Sequence, residues 1–315
     1  DDHAGPAGAK EAPMTTRRSF LAGLGAAGGV LSLPGLARAI QETSSPYRRP
    51  RLKITDVRTA QVMAHGHQVH VRIYTDQGLI GQGEATDAAV GTPPLIQGPL
   101  KRMLVGQDPL NVDALFERLR TMGIFAGAQA GQYLTALTGI EIALWDLAGK
   151  ALNVPVYKLM GGPHRERQSV YWSHLATYRA HNWKLFGVKP LKTMQDIADA
   201  AREAPARGYT VFKTNIIWPG EPARNITQGR LGPHDQVATR DIVKHATTQI
   251  AAMRDAVGPD VGICLDINVN FKPSEALRVG RALEPYDLFW LEIDNQDPHA
   301  LAQLKSAVRA PICSG

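Results

Sequence analysis

Two short apolar segments of the sequence each end in an acidic residue. Residues 263–266 read Ile-Cys-Leu-Asp and residues 287–292 read Asp-Leu-Phe-Trp-Leu-Glu, so the two terminal acids are Asp266 and Glu292. Continuous apolar runs are typical of buried parallel strands, and an acid at the tip of such a strand has no packing role. Two carboxylates brought together at one edge of a sheet repel each other unless a cation lies between them. The pattern therefore predicts a metal site in an enzyme.

Further polar residues also lie at the carboxyl ends of predicted strands. Because alternate residues of a strand share a face, Lys213 shares one with Asn215, and Asp266 shares one with Asn268. A lone lysine at a strand end is usually solvated, and Asn268 could simply form a turn. In the company of the two acids, Lys213 is better explained as a catalytic residue.

The elements that position these residues alternate between strand and helix. The pattern predicts strands near 169–176, 209–215, 261–266, 287–292 and 310–314, and helices near 193–206, 236–257, 274–283 and 298–307. Repeated strand–helix units form a parallel sheet whose site lies at the carboxyl ends of the strands. The expected fold class is therefore α/β, with a (β/α)8-type barrel occupying residues 168–315. Since a closed barrel needs about 250 residues, we expect it to be incomplete here, with about five strands.

The preceding segment, residues 52–160, has a different pattern. Apolar and polar residues alternate over 54–62 and 68–75, a turn follows at 76–78, and a third strand is predicted over 79–84. Helix-period apolar residues then run from 133 to 150. We expect an α+β capping domain at 52–160.

The N-terminal region is typical of a targeting signal rather than of a folded domain. Arg17-Arg18 is followed by Ser-Phe-Leu, a Gly/Ala-rich run and a small-residue site at 37–39. Residues 1–39 are thus predicted to be an N-terminal extension with a twin-arginine signal peptide, and 40–51 a linker. The alternative is an ordinary secretory signal or a membrane anchor. On the first interpretation the protein is exported to the periplasm.

Composition excludes several classes of function. The chain has 315 residues, a net charge of +6 and 44% hydrophobic residues. Its basic residues form no block with interleaved aromatic residues, so nucleic-acid binding is disfavoured. No segment after the N-terminal region approaches the roughly 18 apolar residues of a membrane span. The two cysteines, Cys264 and Cys313, lie in apolar runs and are predicted to be buried free thiols.

One helix carries a family resemblance. Residues 137–150, Leu-Thr-Gly-Ile-Glu-Ile-Ala-Leu-Trp-Asp-Leu-Ala-Gly-Lys, are followed by Pro-Val-Tyr-Lys-Leu-Met-Gly-Gly at 155–162. This combination resembles the signature of the mandelate racemase and muconate lactonizing branch of the enolase superfamily. The resemblance implies an α+β capping domain that closes over a modified (β/α)8 barrel.

The resemblance also implies a Mg²⁺ site. Members bind Mg²⁺ through acids on three successive strands, and Asp266 and Glu292 match the first two. The third is a Glu directly after Ser-Gly, and this chain ends at Ser314-Gly315. We therefore expect the 315 residues alone to be inactive.

The second strand carries the most specific clue to the reaction. Lys213-Thr-Asn215 is similar to the Lys-x-Asn of some sugar-acid dehydratases, such as galactonate dehydratases. The resemblance implies that Asn215 contacts the substrate and that Lys213 lies near the substrate carboxylate. Asn268 stands where those relatives carry a histidine, and a base is expected from a later strand. The implied activity is that of a Mg²⁺-dependent lyase, which removes the proton alpha to a carboxylate through a metal-stabilised enediolate and then eliminates water.

Two alternatives remain open. A racemase, epimerase or cycloisomerase of the same superfamily would share the proton abstraction, whereas an exported carboxylate- or sugar-binding protein on a decayed barrel would lack chemistry. In each case the ligand is a small carboxylate, and a homo-oligomer is possible. Asn268, together with His65 in a loop at 63–67, is a candidate substrate contact, and the Pro- and Gly-rich segment 216–233 is a candidate lid.

Overall fold

A computed structural model of the chain describes residues 50–63, 67–86, 91–226 and 235–314. The predicted signal peptide at 1–39, nearly all of the linker at 40–51, and His65 lie outside these ranges, as does residue 315. None of the helices within the described ranges is long and apolar enough to cross a membrane.

The first sheet contains the three antiparallel strands that the alternation predicts. They are β1 (Ile54–Met63), β2 (His67–Thr75) and β3 (Ile80–Thr86), paired in that order. Val69, Val71 and Ile73 of β2 are fully buried, whereas the residues between them are exposed or half-buried, because alternate side chains point to opposite faces.

A long helix, Gln132–Leu152, covers the buried face of this sheet. Its close approach depends on glycine, since a Cβ atom at Gly83 would lie 2.2 Å from the carbonyl oxygen of Gly139. The helix ends at Asn153, which adopts the left-handed conformation (φ 55°) that asparagine tolerates. Shorter helical segments flank it at Thr92–Leu95, Ile96–Leu100 (a π-helical segment), Lys101–Leu104, Val112–Met122, Ile124–Ala126 (a 3-10 turn) and Val156–Leu159.

The second part of the chain contains the parallel sheet. The strands of this second part, in chain order, are β4 (Val211–Thr214), β5 (Ile217–Trp218), β6 (Arg224–Asn225), β7 (Gly262–Asp266), β8 (Trp290–Glu292) and β9 (Ile312–Cys313). The parallel sheet has the order β4-β7-β8-β9, whereas β5 and β6 form a separate antiparallel hairpin. The fold class is therefore α/β, as predicted.

Helices alternate with the parallel strands along the chain and bury one face of the parallel sheet. They are Thr177–Phe186, Met194–Ala206, Arg240–Val257, Pro273–Leu283 and Pro298–Ala307, with a 3-10 turn at Glu284–Tyr286. The core between sheet and helices contains Phe212, Ile263, Leu291 and Ile250, all fully buried. The predicted helix at 236–257 begins only at Arg240, because the Thr239 side chain caps it by accepting from the N–H of Ile242.

The structure corrects two predictions. The strand expected over 169–176 is reduced to a single parallel bridge between Trp172 and Phe212, because the backbone turns at His174 (φ 53°) and a helix begins at Thr177. The segment 216–233, expected to be a loop, starts instead with the β5–β6 hairpin, while residues 227–234 lie outside the described ranges.

Both cysteines are free, as expected. Cys264 is fully buried and Cys313 is partly buried. Burial raises the pKa of the Cys264 thiol to about 12, so this thiol stays protonated and unreactive at neutral pH.

Candidate active site

The parallel register brings the two predicted metal ligands together. Asp266 is the last residue of β7 and Glu292 the last residue of β8, and the two are direct partners across the strands. Parallel partners point their side chains to the same side of the sheet. The carboxylates therefore meet at the carboxyl edge, as the sequence predicts.

A lysine ammonium lies between these carboxylates. Lys213 Nζ donates to Oε1 and Oε2 of Glu292, both at 2.9 Å, and lies 3.3 Å from Oδ2 of Asp266. Lys213 is only 5% exposed, so water screens these contacts little. The cation that two adjacent carboxylates require is thus supplied here by the protein itself.

The orientation of Asp266 is set by Asn268. Asp266 Oδ1 accepts from the backbone N–H and from the side-chain Nδ2 of Asn268, each at 2.9 Å. The backbone contact is an Asx turn, and Asn268 takes the left-handed conformation (φ 51°) that asparagine tolerates. With Oδ1 engaged in this way, Oδ2 is the oxygen that faces Lys213.

Asn215 joins the ends of β4 and β7 to the start of the helix Thr177–Phe186. Its Nδ2 donates to the backbone oxygen of Asp266 (2.9 Å) and to Oδ1 of Asn268 (3.1 Å), and its Oδ1 accepts from the Thr177 hydroxyl (2.7 Å). The side chain is 2% exposed. In this arrangement Asn215 positions Asp266 and Asn268; the substrate contact inferred for it stays a prediction.

Glu292 has a second partner on its own strand. The indole Nε1 of Trp290 lies 3.2 Å from Glu292 Oε2 and donates to it. The Tyr171 ring packs edge-on against this indole, with ring centroids 5.0 Å apart. Trp290 is therefore a natural spectroscopic reporter of what Glu292 binds.

The structure adds one residue that the sequence reasoning missed. His174, at the end of the shortened first strand, places Nε2 3.9 Å from Asp266 Oδ2, and its ring stacks on Tyr178. Ser173 Oγ lies 2.7 Å from its Nδ1. Its position at the tip of a predicted strand was the available signal, but the left-handed turn that aims it at Asp266 was not visible in the pattern.

Burial and charge act together on the ionisable groups. Burial raises the pKa of Asp266, and the nearby charge of Glu292 adds to this, against the opposing effects of Asn268 and Lys213. For Lys213, burial lowers the pKa, but the hydrogen bond to Glu292 and the charges of both acids outweigh it, so the net shift is upward. Lys213 is accordingly an ammonium at neutral pH.

The donor set matches a hard divalent cation. Two carboxylates already converge on one positive charge, and carboxylate oxygen is the ligand that Mg²⁺ prefers. No group of three or more His, Cys, Asp or Glu side chains capable of holding a metal is present within the described residues. Lys213, Asn215, Asp266, Asn268 and Glu292 are thus brought together, whereas His65 lies outside the described part of the chain.

Comparison with known proteins gives the same family for both parts of the chain. The model of the family described as "Mandelate racemase / muconate lactonizing enzyme, N-terminal domain" matches residues 46–161. The model described as "Enolase C-terminal domain-like" matches residues 196–315. The second match contains Lys213, Asp266 and Glu292.

A curated relative and two solved structures extend this result. D-xylonate dehydratase of Haloferax volcanii is 31% identical over 76% of this chain and 53% of its own length, so the chain spans about half of that relative. A crystal structure described as that of a putative L-alanine-DL-glutamate epimerase from Burkholderia xenovorans is 33% identical, with a TM-score of 0.78, over 84% of this chain and 67% of that one. A further structure with the same description, bound to magnesium and fumarate, is 32% identical with a TM-score of 0.78, over 84% of this chain and 66% of that one.

These matches establish the architecture that the four parallel strands belong to, an N-terminal capping domain and a (β/α)8 barrel. They cover both the capping region and the sheet that carries the site. The chain belongs to the mandelate racemase and muconate lactonizing branch of the enolase superfamily.

Proposed function

We propose that the protein is a Mg²⁺-dependent acid-sugar dehydratase, a lyase that removes the proton alpha to a carboxylate and eliminates water. The observation that carries this proposal is the pairing of Asp266 with Glu292 in register, with the oxygens of both on one cation. The likeness to D-xylonate dehydratase of Haloferax volcanii supports a sugar acid as the substrate.

Asp266 and Glu292 would hold the metal. When bound, Mg²⁺ supplies a Lewis acid that draws electron density from the substrate carboxylate and makes its alpha proton more acidic. The Burkholderia xenovorans protein is described as bound to magnesium and fumarate, which supports a metal and a carboxylate as ligands of this protein. Asn268 and Asn215 fix Asp266 so that Oδ2 points into the site.

Lys213 supplies positive charge beside the reacting carboxylate. Its ammonium already binds carboxylate oxygens at 2.9 Å in this structure, which is the distance of a charge-assisted hydrogen bond. Neither Lys213, which is protonated, nor Asn215, whose amide nitrogen is not basic, is suited to remove the alpha proton. We therefore assign the abstraction to a group other than these two.

Elimination of water also needs a proton for the departing hydroxyl group. Asn268 cannot donate one as an acid, but His174 brings an imidazole to the same edge, 3.9 Å from Asp266 Oδ2. In the protonated ring, Nδ1–H donates to Ser173 Oγ and Nε2, the nitrogen that faces the site, carries the proton that is transferred, so that the ring is left as a neutral imidazole. We assign His174 as the proton donor to the leaving group.

The test is a screen of the full-length protein against five- and six-carbon aldonic acids, D-xylonate among them, with Mg²⁺ and with EDTA. We expect a 2-keto-3-deoxy acid that forms only with Mg²⁺. Glu292→Gln should lower kcat/KM by at least about 10³-fold, since metal charge stabilisation contributes several kcal/mol.

The matched control is Glu117→Gln, which removes an exposed carboxylate paired with Arg120 on a helix that packs against Gln132–Leu152, and it should leave kcat/KM unchanged. Epimer formation without a keto acid would assign the protein to the epimerases instead. Binding of a sugar acid without any turnover would favour a binding protein.

A further inference from the structure

We propose that Lys213 is a built-in counter-cation that competes with the divalent metal for Asp266 and Glu292. Its ammonium touches three oxygens of the two carboxylates, including both oxygens of Glu292. This role rests on one part of the proposed function, namely that Asp266 and Glu292 are ligands of a divalent cation. It adds that the metal must displace an internal ligand before it can bind.

Burial makes such a counter-cation necessary. The side chains of Asp266 and Glu292 are only 4% and 16% exposed and carry like charges at adjacent strand tips. Leaving a carboxylate unpaired in such surroundings is strongly unfavourable. Lys213 removes most of this cost by pairing with both carboxylates. Because Lys213 belongs to β4, the strand next to β7, its ammonium stays close to these carboxylates.

Charge balance predicts the consequence for substrate binding. Two carboxylates and one ammonium carry a net charge of −1, whereas the same carboxylates with a divalent cation are neutral. An ammonium released by the metal is then a buried, uncompensated positive charge. A substrate carboxylate is the anion that compensates it, so the metal should bind before the substrate and should raise the affinity for the acid.

The pair of Lys150 with Asp146 does not have these properties. Lys150 Nζ lies 2.6 Å from Asp146, but the two side chains are 40% and 33% exposed, and both residues lie on one helix. Water can replace the lysine there at little cost. Lys150→Met is therefore a matched control, since it deletes a lysine–carboxylate contact outside the site.

The experiment measures Mn²⁺ binding to the metal-stripped, full-length protein, with free Mn²⁺ counted by its electron paramagnetic resonance signal. Lys213→Met removes the charge, and Lys213→Gln removes it but keeps an N–H donor for the carboxylates, which protects the fold. Both variants should bind Mn²⁺ roughly tenfold or more tightly than the wild type, because a positive charge next to the site is gone. Lys150→Met should bind as the wild type does.

A second measurement follows the metal-free proteins. Without metal, Lys213→Met and Lys213→Gln should melt at lower temperature than the wild type, and Mn²⁺ should raise their melting temperature by more than it raises that of the wild type. Equal or weaker Mn²⁺ binding by both variants, or an unchanged melting temperature of the metal-free variants, would overturn the counter-cation role.

Glu292→Gln separates this inference from the proposed function. If it abolishes Mn²⁺ binding while the Lys213 variants bind no more tightly than the wild type, the metal site stands and only the counter-cation role fails. If it leaves Mn²⁺ binding unchanged, Glu292 is not a ligand, and the counter-cation role fails together with the proposed function. A response of Trp290 fluorescence to Mn²⁺ that disappears in Trp290→Phe would place the bound metal at Glu292, the hydrogen-bond partner of this indole.

Discussion

Single side chains at the strand tips each have a separable task. His174 is the clearest case. Its ring faces Asp266, but neither of the two proposed metal ligands lies near it in the sequence. We expect His174→Gln to lower kcat about 10²- to 10⁴-fold, the usual contribution of a positioned acid, while Mn²⁺ affinity changes little.

The measurement for this variant is steady-state kinetics on the sugar acid found in the screen, together with Mn²⁺ binding. His299→Gln, at the start of a helix on the exposed side, is the matched control and should turn over normally. A kcat of His174→Gln equal to that of the wild type would contradict the role of proton donor.

Asn215 acts through other residues. Replacing it with Ala leaves Thr177 Oγ1, Asn268 Oδ1 and the Asp266 carbonyl without the partner that they share. We expect Asn215→Ala to reduce the free energy of unfolding by about 1–3 kcal/mol, the cost of stranding buried polar groups. Urea unfolding checks this value, with the exposed Gln195→Ala expected within about 0.5 kcal/mol of the wild type. If Asn215→Ala lowers the free energy of unfolding by less than about 0.5 kcal/mol, the range of an ordinary surface substitution, water replaces the amide.

Among the elements, the helix Gln132–Leu152 and strand β3 approach each other unusually closely. A Cβ atom at Gly83 would lie 2.2 Å from Gly139 O and 2.7 Å from Ala143 N, both of them backbone atoms that cannot rotate away. We expect Gly83→Ala to destabilise the protein by about 1–3 kcal/mol or more through overpacking. Gly98→Ala is the control, since a Cβ there meets nothing within 4 Å. Equal melting temperatures for the two variants would refute this account of the packing.

The helix Met194–Ala206 carries its own pH dependence. Its capping box joins Thr193 with Asp196, and the hydrogen bond from Lys189, followed by that from Thr193, lowers the Asp196 pKa from 3.8 to about 2. Because the folded-state pKa is lowered, the carboxylate contributes its full stability above pH 3.8 and loses it as pH falls towards 2.

We therefore expect Asp196→Asn to cost about 1 kcal/mol at pH 7, as the loss of a cap does, and to cost less as the pH approaches 2. The measurement is the free energy of unfolding of both proteins across this range. A difference that stays constant with pH would mean that the Asp196 charge does not stabilise the helix.

At the scale of the whole molecule, much of the fold follows from pattern. The four parallel strands and four of the helices of the second half were predictable because β/α alternation leaves one sheet topology, and that topology alone brings Asp266 next to Glu292, whereas the helix Thr177–Phe186 was not predicted. The left-handed turn at His174 and the β5–β6 hairpin were not predictable, since tertiary packing rather than local propensity decides them. Sequence showed that a cation must lie between the acids, but only the structure shows Lys213 there.

The most direct test of the central claim is proton NMR of the full-length protein with D-xylonate and related aldonic acids in D₂O containing Mg²⁺. A dehydratase removes the proton at C2, eliminates the hydroxyl group at C3, and takes one deuteron at C3 as the enol product becomes a ketone. We therefore predict a 2-keto-3-deoxy acid with one deuterium at C3, formed only when Mg²⁺ is present. Deuterium at C2 of an otherwise intact acid, or no reaction with any acid of the series, would contradict the assignment as a dehydratase.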